Sequence, residues 1–170
     1  DITGAFDLAL DAGTGGAIAS NGVDAAGLID ITDLTITDAV SAAFAGNVQI
    51  NDLITTANDY TLSLTGAANT FVAAIDVLST GKVTIGSADT DSSTFNGGLT
   101  LVNGDPDLDV RGGINSSGDA INFGTGIVTL LGDTTVATDI GSDGGADITF
   151  GNDITGAFDL ALDAGTGGAI

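Results

Sequence analysis

The chain contains no cysteine, methionine, tryptophan or histidine, and its 23 acidic residues are all aspartate. Each absence excludes something. Without cysteine there is no disulfide framework and no thiol chemistry. That suits a solenoid needing no cross-links, and equally an exported chain that stays unfolded in transit. Lys82 and Arg111 are the only cations, leaving a net charge of −21. Nucleic-acid binding is thereby excluded, because phosphate backbones require clustered Lys and Arg. Without histidine or glutamate, little is available to tune a general acid or base. No apolar run is long enough to span a membrane. There is no initiator methionine and no signal peptide, so targeting information is expected outside this stretch. Aspartate without glutamate favours turns and strand ends over helices, since Asp bonds to nearby backbone and tolerates turn geometry.

Gly, Thr, Asp, Ala and Ser dominate, with Ile, Leu, Val and Phe as the apolar residues. Mean hydropathy is +0.40. That value, with frequent apolar residues two apart, argues against the disorder that acidity alone would suggest. Residues 153–170, DITGAFDLALDAGTGGAI, repeat residues 1–18 letter for letter. The sequence therefore reads as one complete β-solenoid repeat, 1–152, followed by the start of the next identical repeat, 153–170. Tandem copies of one stacking unit form a quasi-one-dimensional object such as a rod, stalk or fibre.

The 152-residue unit is itself periodic. Phe44, Phe71, Phe95, Phe123 and Phe150 sit in similar small-residue contexts, and Ile18 and Ile170 take the equivalent place, at spacings of 20 to 28 residues. Between them lie short alternating segments: Leu8-Ala9-Leu10, Leu34-Thr35-Ile36, Leu62-Ser63-Leu64, Val83-Thr84-Ile85 and Leu108-Asp109-Val110. A further set follows the Phe positions: Val48-Gln49-Ile50, Ile75-Asp76-Val77, Leu99-Thr100-Leu101 and Val128-Thr129-Leu130. Alternation gives each strand one apolar and one polar face. Asn21-Gly22, Asn96-Gly97, Asn103-Gly104, Gly132-Asp133 and Gly144-Gly145 are turn signals between strands.

Units of about 25 residues with three short strands and polar corners predict an all-β parallel β-helix, with about six rungs per 152-residue repeat. At ~4.8 Å per rung the repeat would advance by roughly 29 Å. In this reading Ile18, the five Phe residues and Ile170 form a single inward ladder. A string of β-sandwich domains could also repeat in tandem, but gives no reason for a Phe every 25 residues or so. Segments 19–30 and 132–147, where the markers blur, are expected to be loops or distorted corners.

The phrases DLALDAGTGGAI, DLTITDAV and ADITFGNDIT resemble the repeat regions of filamentous-haemagglutinin-like proteins and related bacterial β-strand-repeat surface proteins. The likeness rests on Gly/Thr/Asp-rich rungs along the whole chain. It implies a right-handed parallel β-helix, export to the bacterial cell surface, and work as an adhesin, stalk or matrix fibre. It carries over no catalytic residue. The fidelity of the 152-residue repeat departs from those proteins and favours a filament or long stalk over a pure adhesin.

Asp105, Asp107 and Asp109 form the densest acidic cluster. Residues two apart on an extended segment point to one side, so these carboxylates could converge on Ca²⁺, a hard cation that takes oxygen ligands. The alternative is a solvated acidic corner. Asp89-Thr90-Asp91 and the stretch from Asp139 to Asp147 are weaker versions. Paired carboxylates also serve glycosidases, but here Asp pairs are scattered as decoration. Thr35 and Thr37 form an outward Thr-x-Thr pair without a regular array, and Asn115-Ser116-Ser117 is a glycosylation pattern expected to be silent in a bacterial protein.

The expected function is a structural segment of an extracellular fibre: a rigid acidic rod for matrix, sheath or cell–cell linkage, requiring no cofactor, with Ca²⁺ as a candidate ion. Its main partner would be itself, through end-to-end continuation and lateral bundling, with cell-surface or polysaccharide contacts besides. An adhesin stalk whose binding domain lies elsewhere is the second reading. A β-helical polysaccharide-processing enzyme is the third, and the expectation is that the chain is not an enzyme.

Overall fold

The structure, a computed structural model, describes residues 2–20, 29–102, 106–141 and 144–170. Strands are the only regular elements among them, so no helix there is long and apolar enough to cross a membrane. The strands stack in parallel as a β-solenoid, as the sequence predicts. An isolated antiparallel bridge joins Ser117 to Asp139 at a corner.

Each turn visits three faces in the same order. Face I is a column of paired backbone positions: Thr3, Asp30, Gln49, Thr70, Thr94, Asn115, Ala137 and Asp163. Face II carries Leu8, Leu34 and Leu53, then Ile75, Leu99, Ile121 and Ile148. Face III carries Ile18, Ala42, Leu62, Val83, Leu108, Val128 and Ile154. Some strands bend round a corner without a break. Ile29–Asp38 and Val48–Thr55 run from face I to face II, while Leu108–Asn115 and Val128–Ala137 run from face III to face I. One such bend is made at Gly112, where the register shifts and φ is +80°. A Cβ there would lie 2.5 Å from the Asp91 carbonyl oxygen of the neighbouring turn, so only glycine fits.

The alternating triplets are strands, and their apolar residues form one continuous core. Every rung exposes two edges, and parallel stacking pairs those backbones while burying the inward side chains. On face II the ladder is interrupted between Leu53 and Ile75, and a side chain spans the gap. The buried Thr55 hydroxyl donates to the Asp76 carbonyl at 3.2 Å and accepts from the Leu78 N–H at 2.7 Å.

Three sequence expectations are corrected. First, a turn takes from 19 residues (Asp30 to Gln49) to 27 (Thr3 to Asp30) and averages about 23, not 25. Second, the aromatic series is not one ladder. Phe44, Phe71, Phe95 and Phe123 are buried and Phe150 packs against the core, but they lie on different faces. Phe44 pairs with Leu64 on face III. Phe71 and Phe95 stack on face I with ring centroids 4.8 Å apart and planes 6° apart. Phe123 and Phe150 stack next to face II, also at 4.8 Å. Ile170 is 71% exposed. A spacing longer than the turn carries the aromatic position progressively round the solenoid. Third, within segment 132–147, residues 134–137 are strand paired on both sides; Gly132 and Asp133 fall at the register shift between Leu130 and Thr134, a distorted bend as expected, and residues 138–141 and 144–147 carry no strand. Of segment 19–30, residues 19–20 and 29–30 are strand, and residues 21–28 lie outside the described residues.

Candidate functional site

The acidic candidates sit at corners and outward strand positions, where alternation puts polar side chains. Asp105 lies outside the described residues. Asp107 is exposed, and its carboxylate accepts the Ile127 N–H of the next turn at 3.1 Å. Asp109 points outward on face III and meets Lys82 of the preceding turn at 2.7 Å. Asp107 and Asp109 are thus each engaged by a different neighbour. Among the described residues no three acidic side chains form a group that could hold a metal ion.

The Asp89–Asp91 segment is held in a similar way. The Asp91 carboxylate is buried and caps its own turn, accepting the Ser87 N–H at 2.7 Å, the Ala88 N–H at 2.9 Å and the Ser87 hydroxyl at 2.9 Å. Arg111 donates from Nε to Asp89 at 2.7 Å and from Nη1 to the Ser87 carbonyl at 3.2 Å. The hydrogen bond from Arg111 holds the Asp89 carboxyl below its usual range. Both cations therefore act as staples between turns, each spent on one aspartate. In the Asp139–Asp147 stretch, Asp147 accepts the Ala169 N–H at 2.8 Å, and residues 142 and 143 lie outside the described residues.

One acidic cluster is not evident from the sequence. Asp33 and Asp52 are paired positions on neighbouring turns, and Asp76 is close enough to act on Asp52. Burial, then the charges of Asp33 and Asp76, raise the Asp52 pKa, against a backbone hydrogen bond from Leu53 that lowers it. The residues are far apart in sequence, and only the register brings them together.

Two open grooves among the described residues bear on the enzyme reading. One, of about 590 Å³, is lined by Gly4, Ala5, Ile31, Thr32, Gln49, Ile50, Asn51, Thr70 and Val72. The other, of about 400 Å³, is lined by Thr100, Leu101, Val102, Pro106, Asn122, Gly124, Thr125, Thr149 and Gly151. Neither lining includes a carboxylate, so neither brings together the paired acids that glycoside hydrolysis uses. The outward neighbours of Thr35 are Ala9 and Ile54, so the Thr-x-Thr pair stands alone on its face. Asn115 lies within a strand and donates to the Ser92 hydroxyl at 3.0 Å, while Ser116 is fully buried.

Inward polar residues are the other feature that sequence reasoning misses. Asn69 is buried and fully engaged: its carbonyl accepts the Val48 N–H, and its amide donates to the Gly66 carbonyl and the Ser93 hydroxyl. Tyr60, the largest fully buried side chain, turns its hydroxyl to the Thr56 N–H. Asn69 thus ties three successive turns together, whereas the Tyr60 hydroxyl bonds within its own turn. No protein-family description, no curated protein and no solved structure matches this chain.

Proposed function

We propose that this chain is a structural segment of an extracellular fibre: a rigid, acidic β-solenoid rod extended by tandem copies of the 152-residue unit. The observation that carries this reading is the behaviour of the repeated 18 residues. Ile2–Thr3 and Ile154–Thr155 are both short strands, and Leu8–Asp11 and Leu160–Asp163 are both four-residue strands. Glycine φ values agree between copies: +137° and +121° at Gly4 and Gly156, +67° and +63° at Gly13 and Gly165. Asp11 accepts the Gly13 N–H at 2.9 Å, and Asp163 accepts the Gly165 N–H at 3.0 Å. Over residues 153–165 the second copy takes up the local fold of the first while stacked on the turn before it; Ala17–Ile18 are strand, whereas Ala169 and Ile170 are not. A solenoid turn contacts only its neighbours, so such a stack has no intrinsic end.

The chemistry of the surface suits a mechanical role. The two cations with their aspartates, and Asp107 and Asp147 through backbone N–H groups, serve turn-to-turn cohesion. Asp11, Asp91 and Asp163 fix local turns, and the remaining carboxylates give a hydrated, mutually repelling exterior. Export, cell-surface residence and bacterial origin rest on the resemblance and on the absence of cysteine. The test is length. Chains of one, two and four copies, imaged by electron microscopy, are expected to lengthen by about 32 Å per copy at ~4.8 Å per turn. Beaded or flexible particles, or a length that does not grow with copy number, would refute the rod. Antibody against the repeat is expected to label intact producing cells.

A further inference from the structure

The repeated segment does not return to the face on which it began. Thr3 stands on face I, and six paired steps up that column lead through Asp30, Gln49, Thr70, Thr94 and Asn115 to Ala137. From there the chain passes face II at Ile148–Thr149 and reaches face III at Ile154–Thr155. Ile154 is the repeat equivalent of Ile2, yet it lies on Val128 in the column of Ile18. Likewise Leu8–Asp11 lie on face II, whereas Leu160–Asp163 lie on face I against Thr134–Ala137. The 152-residue repeat is therefore six turns and two thirds of a seventh.

We infer that successive copies join coaxially with a rotation of about a third of a turn, making the array a rod with threefold screw symmetry. This rests on the tandem-array reading above and adds its geometry. Both sides of the junction are already visible. Ile2–Thr3 show the segment's pairing to the turn that follows it, Ile29–Asp30. Ile154–Thr155 show its pairing to the turn that precedes it, Val128–Thr129. Overlaying the two copies gives a strand paired on both edges, so the stack passes through the junction without a gap. Column III of one copy becomes column I of the next.

The consequence is a surface that repeats on three sides. Phe6 and Phe158 are the same repeat position, 50% and 49% exposed, and they occupy different corners of the solenoid. In the array each surface feature recurs about every 32 Å one face further round, and returns to its own face after three copies, or about 96 Å. A partner lying flat along the rod meets equivalent residues only at the longer spacing. The axial partner is a second copy of this chain.

The rotation can be tested in the 170-residue chain itself, which has no native cysteine. Neighbouring parallel strands place paired Cα atoms within disulfide range. Thr129→Cys with Thr155→Cys is expected to oxidise nearly completely, as is the control Ala137→Cys with Asp163→Cys, because both are paired positions. Ala137→Cys with Thr155→Cys is expected to stay reduced. A repeat of whole turns would place Thr155 over Ala137 and reverse the first and third results, overturning the inference; so would failure of both. In a four-copy chain with Ala9→Cys and its equivalents gold-labelled, labels should wind round the rod and realign at about 96 Å. Labels along one side would refute the screw. Positive cross-links with no extended rod would defeat the fibre reading and leave the rotation standing.

Discussion

Truncating Phe95 tests whether the aromatic series is one ladder or separate pairs. Phe95 is 0% exposed and stacks on Phe71, itself 0% exposed, with centroids 4.8 Å apart. Phe95→Ala removes a fully buried ring from the core and is expected to cost about 3–5 kcal/mol. Phe71→Ala should cost the same. A stacked pair contributes about 0.5–1.5 kcal/mol beyond burial, so the double mutant should be less destabilised than the two singles together by that amount. Phe44 lies on face III, about one and a third turns before Phe71 on face I. Their double mutant should add to within about 0.5 kcal/mol. The assay is urea unfolding at equilibrium followed by circular dichroism, with matched slopes across the set so that differences in midpoint report stability. Coupling between Phe44 and Phe71 as large as that between Phe71 and Phe95 would refute the face assignment and restore the single ladder. A small loss for Phe95→Ala, comparable with that for half-exposed Phe6→Ala, would refute its burial.

Three further outcomes are expected. Thr55→Val keeps the shape but removes both hydrogen bonds across the face II gap; it should cost about 1–3 kcal/mol in the same unfolding assay, while Thr55→Ser, which keeps the hydroxyl, should recover most of it. Asp52, with its pKa raised by burial and by Asp33 and Asp76, binds its proton more tightly folded than unfolded; its favourable contribution is full below the ordinary carboxylate range and is lost as pH rises through the raised value. Asp52→Asn should therefore stabilise the chain at neutral pH and make no difference near pH 3, and equal effects at both pH values would refute this assignment. Calcium at fixed ionic strength is expected to raise the unfolding temperature or to bundle rods relative to chelator, less so in Asp107→Asn; no change in either would mean that the acidic surface acts through repulsion and hydration alone.

The alternating triplets made the strands legible, because a period of two is the direct imprint of a strand with one buried side. Leu62-Ser63-Leu64 and Val83-Thr84-Ile85 read as strands and are strands, paired to each other. The period does not say which face a strand occupies, so Phe44 and Phe71 look alike in sequence and lie on different faces. Inward polar residues are hidden for a related reason. Asn69 and Thr55 are buried because each meets a backbone group of another turn, and that partner is some twenty residues away. The Asp33–Asp52 contact is likewise set by register. In the Asp105–Asp109 segment that the sequence singled out, the two described carboxylates, Asp107 and Asp109, each meet a different neighbour. Extended spacing sets which side a side chain takes, and the register sets which partner it meets.

The mismatch between the two periods follows from what holds a solenoid together. A turn must present apolar residues inward and pair its backbone with the turns on either side; nothing requires all turns to be equally long. Corners absorb the difference: between face III and face I, three residues join Phe44 to Val48, whereas six join Ile85 to Ser92. A repeat in sequence therefore need not close on a whole number of turns. It needs only to end where the inward pattern of the next strand fits the face it reaches. Face III accepts Ile154–Thr155 on Val128–Thr129 as readily as face I pairs Ile2–Thr3 with Ile29–Asp30, because all are β-branched or polar strand residues in alternation. The physical unit of this rod is the single strand on a single face, and the 152-residue period is a multiple of that unit rather than of the turn.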